Sequence, residues 1–327
     1  MTTILLIGAG VMGTTHINAY QKMDHAEVVG VVDINRNKAE AIATNGEPIF
    51  TSIEDAIEEI FQIDLIDICL PTDLHLTYVK KASNYTKHII CEKPLGRNVE
   101  EAKEIIQFCE QEKINLFVGH VVRFFPEYQL AKKLLDTSKI GKPGVVRMSR
   151  TSAFPAWENW YGDAGKSGGL ILDLIIHDFD YLRWCFGEVV RVYAKGFANQ
   201  KLPDKAYALI TLRFKNGVIA HVEGSWTHHH FATKFEMAGS NGIISYNSDQ
   251  TKSLSIFAND ESSSGRSVIH KSRLNRNPHH KELEHFIDCV ETNKQPLITP
   301  EDAMKAIEIS MAAIRSMETG QPVTLNE

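Results

Sequence analysis

The chain has 327 residues, with 35 lysines and arginines against 41 aspartates and glutamates, so its formal net charge is −6. This mildly acidic balance argues against broad nucleic-acid binding, which needs a basic face, and an apolar content of 43% argues against intrinsic disorder. No apolar stretch reaches the roughly 20 residues that a membrane-spanning helix needs, so we expect no membrane association. The length predicts about two domains.

The cysteines favour a reducing compartment. There are five of them, an odd number, and they are widely spaced in apolar surroundings. Reduced, buried thiols fit this pattern better than a disulfide framework does. Since the chain has no CxxC pair, we expect no metal site. The first residues carry no basic segment ahead of their apolar run, so we expect no secretory signal and predict a cytoplasmic protein.

Short apolar runs alternate with helical patterns through the first third of the chain. The predicted strands are Ile4–Ile7, Val28–Val32, Leu65–Leu70, His88–Cys91 and Leu116–Val118. The predicted helices are Gly13–Met23, Arg36–Ala43, Ser52–Ile60, Leu76–Ser83 and Val99–Gln111. Because parallel strands need a crossover between them, this alternation predicts an α/β fold with a doubly wound parallel sheet of the Rossmann type.

The rhythm changes after Gly119. A predicted helix at Leu172–Cys185 is followed by strand-like runs without intervening helices: Val189–Phe197, Tyr207–Phe214, Val218–Thr227, Thr233–Gly239, Gly242–Asn247 and Ser253–Ala258. Successive strands of this kind predict a mainly antiparallel sheet in an α+β domain. We therefore place the domain boundary at Gly119, with residues 1–119 as the first domain and residues 120–327 as the second.

A glycine-rich turn lies between the first predicted strand and the first predicted helix. It reads Gly8-Ala9-Gly10-Val11-Met12-Gly13, and Asp33 ends the second strand 20 residues later. Strand, glycines, helix and acid at this spacing indicate a dinucleotide site, in which Gly8 allows the tight turn, Gly10 admits the pyrophosphate, and Gly13 lets helix pack on strand. The alternative is a glycine-rich turn in an unrelated α/β domain.

The type of dinucleotide follows from Asp33. Its carboxylate can accept hydrogen bonds from the ribose hydroxyls, whereas it would repel a 2′-phosphate, so we expect NAD rather than NADP. The nearby Arg36, whose positive charge attracts a phosphate, weakens that preference. We therefore interpret residues 1–119 as a dinucleotide-binding domain.

Two further segments carry chemistry. Lys93 follows an apolar strand, at the end of the sheet where open α/β folds bind ligands. Asp173 and His177 are four residues apart on an otherwise apolar predicted helix, so they share a face, and Asp180 adjoins it. A histidine beside a carboxylate suits proton transfer near neutral pH. The alternatives are a surface lysine and a buried histidine with a structural partner.

Taken together, these motifs resemble the glucose–fructose oxidoreductase/inositol dehydrogenase family (Gfo/Idh/MocA) over essentially the whole chain. The matching residues are Gly8 to Gly13 with His16, Pro71-Thr72-Asp73 with His75, Glu92-Lys93-Pro94, Gly119 with Arg123, Phe124 and Pro126, and Asp173 with His177 and Asp180. The sequence departs from the common family pattern at Asp73, at Phe125 and at His279, where members often have Asn, an acidic or amide residue, and Tyr.

The resemblance implies roles for the matching residues. Lys93 becomes the catalytic lysine, His177 the proton-transfer histidine, and Asp173 the acid that orients His177 or a substrate hydroxyl. Glu92 is expected to contact the nicotinamide ribose. The turn of Pro71, Thr72 and Asp73, with His75, and Arg123 are expected near the nicotinamide end of the cofactor.

The implied reaction is reversible, metal-free hydride transfer between nicotinamide and a secondary alcohol or ketone of a sugar, inositol or related polyol. Within this class, a sugar-nucleotide dehydrogenase and a ketose reductase stay open. The alternative from another class is a catalytically silent, nucleotide-sensing regulator, because a fold does not dictate chemistry. Such a regulator would keep Asp33 and the glycine turn but would not need Lys93 together with His177. A structural interaction protein fits worst.

Aromatic and histidine residues suggest where a small polyhydroxy substrate binds. Trp157, Asn159 and Trp160 combine aromatic faces with a hydrogen-bonding amide, although packing at a domain junction explains them equally well. If the predicted strands Val218–Thr227 and Thr233–Gly239 pair as a hairpin, His229 lies at their connection, and the resemblance makes it a further candidate. The run His228-His229-His230 is not a metal site, because consecutive strand residues alternate faces. The family resemblance also implies that residues 120–327 are a domain for substrate binding and oligomerisation, in a homodimer or homotetramer.

Overall fold

The computed structural model describes residues 1–156, 159–198, 202–250, 254–258, 266–269 and 277–325. The chain forms two compact units, one of Met1–Val121 with Arg276–Met304 and one of Val122–Asn275 with Lys305–Glu327. A segment near the C-terminus therefore belongs to the first unit. The domain limits 1–119 and 120–327 stay a prediction.

The first unit is built on a parallel sheet. Its strands are β1 (Thr2–Ile7), β2 (Ala26–Val32), β3 (Ile49–Phe50), β4 (Leu65–Ile68), β5 (His88–Glu92) and β6 (Asn115–Gly119). They lie in the order β3-β2-β1-β4-β5-β6, with every pairing parallel. The order reverses between β1 and β4, and ligands of such folds bind beyond the carboxyl ends of the strands at this point. The structure confirms the predicted doubly wound sheet.

Helices connect these strands. They are α1 (Val11–Tyr20), α2 (Arg36–Ile42), α3 (Ile53–Glu59), α4 (His75–Ala82) and α5 (Val99–Glu112). Side chains of Asn35, Ser52 and Asn98 accept hydrogen bonds from backbone N–H groups at the starts of α2, α3 and α5. The central strands β1, β4 and β5 are mostly apolar and buried, as expected for a parallel sheet that is covered on both faces.

The second unit contains a mixed sheet. Its strands are β7 (Pro143–Ala153), β8 (Val189–Phe197), β9 (Tyr207–Phe214), β10 (Ile219–Ser225), β11 (Thr227–Gly239), β12 (Gly242–Asn247), β13 (Leu254–Ala258), β14 (Arg266–Ile269) and β15 (Val323–Thr324). Their order is β14-β13-β12-β11-β7-β10-β9-β8-β15, and among these pairings only β7 with β10 is parallel in the described residues. The mainly antiparallel α+β prediction is confirmed.

One face of this sheet carries the core of the second unit. Along β9, Ala208, Ile210, Leu212 and Phe214 are buried, whereas the alternate residues Tyr207 and Leu209 are exposed. The helices of this unit are α6 (Pro126–Asp136), α7 (Ala164–Ser167) and α8 (Ile176–Phe186). The helices α9 (Pro278–Thr292) and α10 (Pro300–Thr319) follow, α9 in the first unit and α10 with residues in both units.

The strand order corrects one expectation. If β10 and β11 formed a hairpin, the histidine run would lie at their connection. Instead, β7 lies between β10 and β11, so the two strands do not pair. His228, His229 and His230 are exposed residues within β11, where the pairing with β7 shifts register between Thr227 and Ala232.

All five cysteines are free thiols. In the described ranges, the structure contains no helix with the length and apolar character needed to cross a bilayer.

Candidate functional site

The glycine turn at the end of β1 has the geometry of a phosphate-binding loop. A Cβ on Gly8, whose φ is +102°, would collide with the carbonyl oxygen of Cys69, and a Cβ on Gly13 would collide with the carbonyl oxygen of Gly8. A Cβ on Gly10 would meet nothing within 4 Å. Gly8 and Gly13 are therefore needed for the fold, while open space lies at Gly10, next to the N-terminus of α1. The loop fits a dinucleotide pyrophosphate.

Asp33 is joined to this loop. Its Oδ2 accepts a hydrogen bond from the backbone N–H of Ala9 at 2.8 Å, and its Oδ1 accepts one from the N–H of Asn35 at 2.8 Å. The carboxylate is thereby fixed beside the glycine turn. Arg36 instead pairs with Glu40 on the surface of α2, with Nε 3.1 Å from Oε1. Val11 and Met12 form the first residues of α1, and Val11 is exposed.

The segment after β4 forms a turn that is braced by His75. Pro71 precedes the 3-10 turn Thr72–Leu74, which contains Asp73. The buried ring of His75 lies between two backbone carbonyl oxygens, with Nε2 2.9 Å from Leu70 and Nδ1 2.9 Å from Pro94. His75 thus ties this turn to the segment after β5, a bracing role that the sequence did not indicate.

Glu92 and Lys93 lie at the carboxyl end of β5. The backbone N–H of Lys93 donates to Glu92 Oε2 at 3.1 Å, and the Lys93–Pro94 peptide bond is cis. A Cβ at Gly119, on the adjacent β6, would lie 2.7 Å from Glu92 Oε1, so glycine there leaves room for the carboxylate. Burial raises the pKa of the Glu92 carboxyl, but the facing His16 and the neighbouring Lys93 lower it, and the net pKa lies below its usual value.

A buried group of polar side chains connects Glu92 to the interior of the first unit. His16 Nδ1 lies 2.8 Å from Asp67 Oδ2 and 3.3 Å from Cys69 Sγ, while His16 Nε2 lies 3.2 Å from Glu92 Oε1. The hydroxyl of Tyr20 donates to Asp67 Oδ2 at 2.7 Å. The sequence analysis included His16 in a motif but did not foresee this network. The sequence feature that indicates this network is a charged residue, Asp67, inside an otherwise apolar strand, because a buried carboxylate needs partners.

Three of these residues have the chemistry of metal ligands. Single ligand atoms of His16, Asp67 and Cys69 all lie within 4.8 Å of one another. In this structure, however, hydrogen bonds join Asp67 and Cys69 directly to His16 Nδ1, the nitrogen that a metal would take. Burial also raises the pKa of the Cys69 thiol, which disfavours the thiolate that metals bind. The geometry is that of a hydrogen-bonded network.

The helix that carries Asp173 and His177 begins irregularly. The sequence predicts one α-helix over Leu172–Cys185, whereas residues Ile171–Ile175 form a π-helical turn and α8 starts at Ile176. Asp173 is buried in the π turn and His177 is half-buried in the first turn of α8. An inserted π turn is frequent at functional sites.

Glycines accommodate this π turn on both sides. Gly168 and Gly169 precede it with φ of +73° and +69°. A Cβ on Gly168 would collide with Leu172, and a Cβ on Gly224 of β10 would collide with Ile175. The π turn therefore packs directly against the backbone of β10.

Two arginine–aspartate pairs hold α8. Arg150 of β7 donates to Asp178 from Nε at 2.9 Å and from Nη2 at 2.8 Å, and Arg123 donates to Asp180 from Nε at 2.9 Å and from Nη2 at 2.6 Å. All four side chains are buried. Asp180 therefore binds Arg123. The sequence analysis assigned Arg123 to the cofactor and missed this pairing; its cofactor role stays a prediction.

The substrate candidates are distributed unevenly. Trp157 lies outside the described residues. Asn159 begins the 3-10 turn Asn159–Gly162, in which the rings of Trp160 and Tyr161 stack with centroids 4.1 Å apart. His229 is exposed on β11. Of the three catalytic candidates, Lys93 belongs to the first unit, whereas Asp173 and His177 belong to the second.

Comparisons with known proteins cover nearly the whole chain. The NAD-binding Rossmann-fold model of the Gfo/Idh/MocA oxidoreductase family matches residues 2–120, and the model of that family's C-terminal alpha/beta domain matches residues 132–325. The chain is 27% identical to the myo-inositol 2-dehydrogenase of Thermotoga maritima, over 98% of each chain. It is 29% identical to the scyllo-inositol 2-dehydrogenase (NAD(+)) of Bacillus subtilis, over 98% of this chain and 95% of that one.

A solved structure gives the same result. The crystal structure of a putative myo-inositol dehydrogenase from Sinorhizobium meliloti superposes with a TM-score of 0.82 at 26% identity, and all of both chains is covered. The family models, the sheet order and the glycine turn agree with one another. The chain belongs to the Gfo/Idh/MocA family of oxidoreductases and carries that family's NAD-binding Rossmann fold.

Proposed function

We propose that this protein is an NAD-dependent dehydrogenase that transfers a hydride between nicotinamide and a secondary alcohol carbon of a small polyhydroxy compound. Bound NAD supplies the hydride acceptor, and the protein must position the alcohol and manage its proton. The observation that carries the proposal is the placement of Lys93. It follows Glu92 at the carboxyl end of β5, the edge of the sheet where a dinucleotide binds.

The preference for NAD rests on Asp33. Its carboxylate is fixed by the N–H groups of Ala9 and Asn35, so it lies where an adenosine ribose would extend from the glycine turn. A fixed negative charge there accepts hydrogen bonds from ribose hydroxyls and repels a 2′-phosphate. Arg36, the candidate partner for such a phosphate, is paired with Glu40.

His177 and Lys93 divide the handling of the hydroxyl. His177 accepts the hydroxyl proton as the alcohol is oxidised, which typically contributes about 10²–10⁴-fold to the rate. The Lys93 ammonium stabilises the negative charge that develops during the oxidation. Asp173, in the π turn before His177, orients the imidazole or a substrate hydroxyl. The remaining residues of the predicted cofactor site bind and orient the dinucleotide.

Inositols and sugars are the proposed substrates. The inositol dehydrogenases of Thermotoga maritima and Bacillus subtilis are similar to this chain along nearly its full length, which supports a cyclic polyol. The stacked rings of Trp160 and Tyr161 offer a flat apolar face of the kind that sugar rings contact. A silent nucleotide-sensing regulator is the alternative, and it has no use for Lys93 and His177 together.

The test is NADH formation by the purified protein across a panel of inositols, aldoses, other polyols and nucleotide sugars. Lys93→Ala is run beside the wild type. Lys87→Ala is the matched control, because Lys87 precedes the opposite end of β5 and donates to the carbonyl of Glu112. Turnover that is lost only in Lys93→Ala supports the proposal. Silence across the panel, with NAD bound, supports the regulator.

We further propose that the protein acts in the cytoplasm as a homodimer or homotetramer. Five free cysteines favour a reducing compartment. The outer face of β8, β9 and β10 exposes the apolar side chains Tyr193, Phe197, Tyr207, Leu209 and Ile219 among charged residues, and a second copy of the chain would cover them. Light scattering should give a mass above that of one chain, and Leu209→Arg should lower it. A monomeric wild type contradicts this proposal.

A further inference from the structure

The buried network around His16 follows from the spacing of its residues. His16 and Tyr20 are four apart on α1, so their side chains lie on one face of the helix, toward the sheet. Asp67 and its second neighbour Cys69 point to the same side of the β4 segment. Glu92 ends the adjacent strand β5. The side chains of His16, Asp67 and Glu92 are at most 7% exposed.

The geometry defines the charge of His16. Its Nδ1 lies 2.8 Å from a carboxylate oxygen of Asp67, and its Nε2 lies 3.2 Å from a carboxylate oxygen of Glu92. An ionised carboxylate only accepts hydrogen bonds, so the contact with Asp67 needs a proton on Nδ1, whereas Nε2 faces the negative charge of Glu92 at ion-pair distance without the geometry of a hydrogen bond, and that charge favours a second proton there. Burial lowers the pKa of His16, but the charge of Asp67 and its hydrogen bond to the ring raise it, and the net pKa lies above its usual value. The contacts with Asp67 and Glu92 therefore favour the imidazolium at neutral pH.

We propose that His16 is a positioning residue, a buried cation between Asp67 and Glu92 that keeps the Glu92 carboxylate ionised and aimed toward the nicotinamide end of the cofactor site. The aim of Glu92 rests on the proposed function. Glu92 in turn accepts a hydrogen bond from the backbone N–H of Lys93, so the same cation fixes the start of the Lys93 segment. His16 acts through Glu92 and needs no contact with the substrate.

The other titratable groups around the network do not change the proposed charges of His16 and Glu92. Tyr20 donates to Asp67, and burial raises the pKa of its phenol, so it stays protonated. Cys69 also stays protonated, since burial raises the pKa of its thiol. Burial and the charge of His16 lower the pKa of His279 to about 4, so this second histidine is neutral. Lys93 adds positive charge beside Glu92, and Glu282 adds negative charge near Tyr20.

Substitution of His16 should therefore change a pH profile. In His16→Gln the cation is lost, and burial then raises the pKa of Glu92. We expect the dissociation constant for NADH, measured by fluorescence, to rise about tenfold as the pH falls from about 8 to 5.5. This is the size of one lost hydrogen bond between a charged Glu92 and the cofactor. The wild type should change less than about twofold over this range.

Three further variants separate this role from a merely structural one. His88→Gln is the matched control, because His88 begins the strand that Glu92 ends. It should keep the flat profile of the wild type. Glu92→Gln removes the titrating group, so the double variant His16→Gln, Glu92→Gln should have the pH profile of Glu92→Gln alone. A profile that steepens equally with and without Glu92 overturns the proposal, as does a His16→Gln variant with a flat profile.

A second readout needs neither substrate nor cofactor. In protein labelled with ¹⁵N at the histidine rings, the His16 signal, identified by its absence in His16→Gln, should report an imidazolium at pH 7. A neutral ring, or one stoichiometric zinc ion removable by a chelator, overturns the proposal. Failure of the wild type to bind NADH or to oxidise any polyol would instead count against the proposed function.

Discussion

The two units bury charge in different ways. In the first unit, one histidine lies between the carboxylates of Asp67 and Glu92, and its charge depends on a proton. In the second unit, Arg150 and Arg123 each donate two hydrogen bonds to one aspartate, and arginine keeps its charge at every accessible pH. Both arrangements stand next to residues of the candidate site, Lys93 in one case and His177 in the other.

This difference between a buried histidine and buried arginines indicates which unit should respond to pH. An arginine fork fixes geometry without titrating, which suits the support of α8, because His177 must itself exchange a proton. The contact between His16 and Glu92 can lose a charge at either partner. Alkali removes a proton from His16, and acid adds one to Glu92. We therefore expect cofactor binding to carry the pH dependence of the first unit, while the frame around His177 stays constant.

The largest effect is expected from His177→Ala, which tests whether the second unit carries chemistry and the first unit carries cofactor binding. Turnover should fall by about 10²–10⁴-fold because the general base is lost. The dissociation constant for NADH should stay within a few-fold of the wild type. Steady-state rates and fluorescence titration measure the two quantities. Lost NADH binding with intact turnover would reverse the assignment.

Next in size is the effect of Arg150→Met, which breaks one arginine pair. Asp178 would then be a buried, uncompensated carboxylate, and removal of one partner from such a pair costs about 3–5 kcal/mol. Urea unfolding measures the loss. Arg147→Met on the same strand is the control, because its partner Glu236 and Arg147 itself are exposed, so its effect should stay below about 1 kcal/mol. Equal losses in both variants would mean that the buried pair has no special role.

A smaller effect is expected when Asp33 is replaced by alanine. The fixed carboxylate beside the glycine turn disappears, so the preference for NAD over NADP should fall about tenfold, the size of one charged hydrogen bond. Dissociation constants for NADH and NADPH provide the measurement. An unchanged ratio would show that Asp33 does not select the cofactor.

The smallest effect concerns stability in alkali. The folded pKa of His16 lies above its usual value of 6.5. The stabilisation is therefore fully present below that value and is lost as the pH rises through the folded pKa. Between these two values the folded protein holds one more proton than the unfolded chain, so wild-type stability should fall by up to about 1.4 kcal/mol per pH unit.

His16→Gln should remove this slope. Urea unfolding of both proteins between about pH 7 and 8 measures it, and the contribution of the cysteines, whose ordinary pKa is about 8.5, cancels when the two proteins are compared. Parallel slopes in the two proteins would show that His16 is neutral in the fold.

The sequence predicts the first unit well because its signals are local. The glycine turn, Asp33 and the alternation of strands with helices all lie within short windows, and the five predicted strands are observed, whereas the two-residue strand β3 was not predicted. The His16 network is not visible in this way, because Asp67 lies 51 residues from His16 and only the strand order brings them together.

The second unit departs more from expectation for two physical reasons. Helical periodicity assumes 3.6 residues per turn, so it cannot show the π turn at Ile171–Ile175. Pairing between strands distant in sequence is equally hidden, and the insertion of β7 between β10 and β11 places His229 within a strand. The Arg150–Asp178 pair depends on the same distant pairings.

The central claim is hydride transfer that depends on Lys93. The most direct measurement supplies NADH carrying deuterium at C4 together with ketones of inositols and sugars, and follows the label by mass spectrometry. We predict that deuterium becomes bound to carbon in the alcohol product with the wild type and with Lys87→Ala, but not with Lys93→Ala. NADH that binds to the wild type yet transfers no label, or a transfer that Lys93→Ala leaves unchanged, would contradict the account.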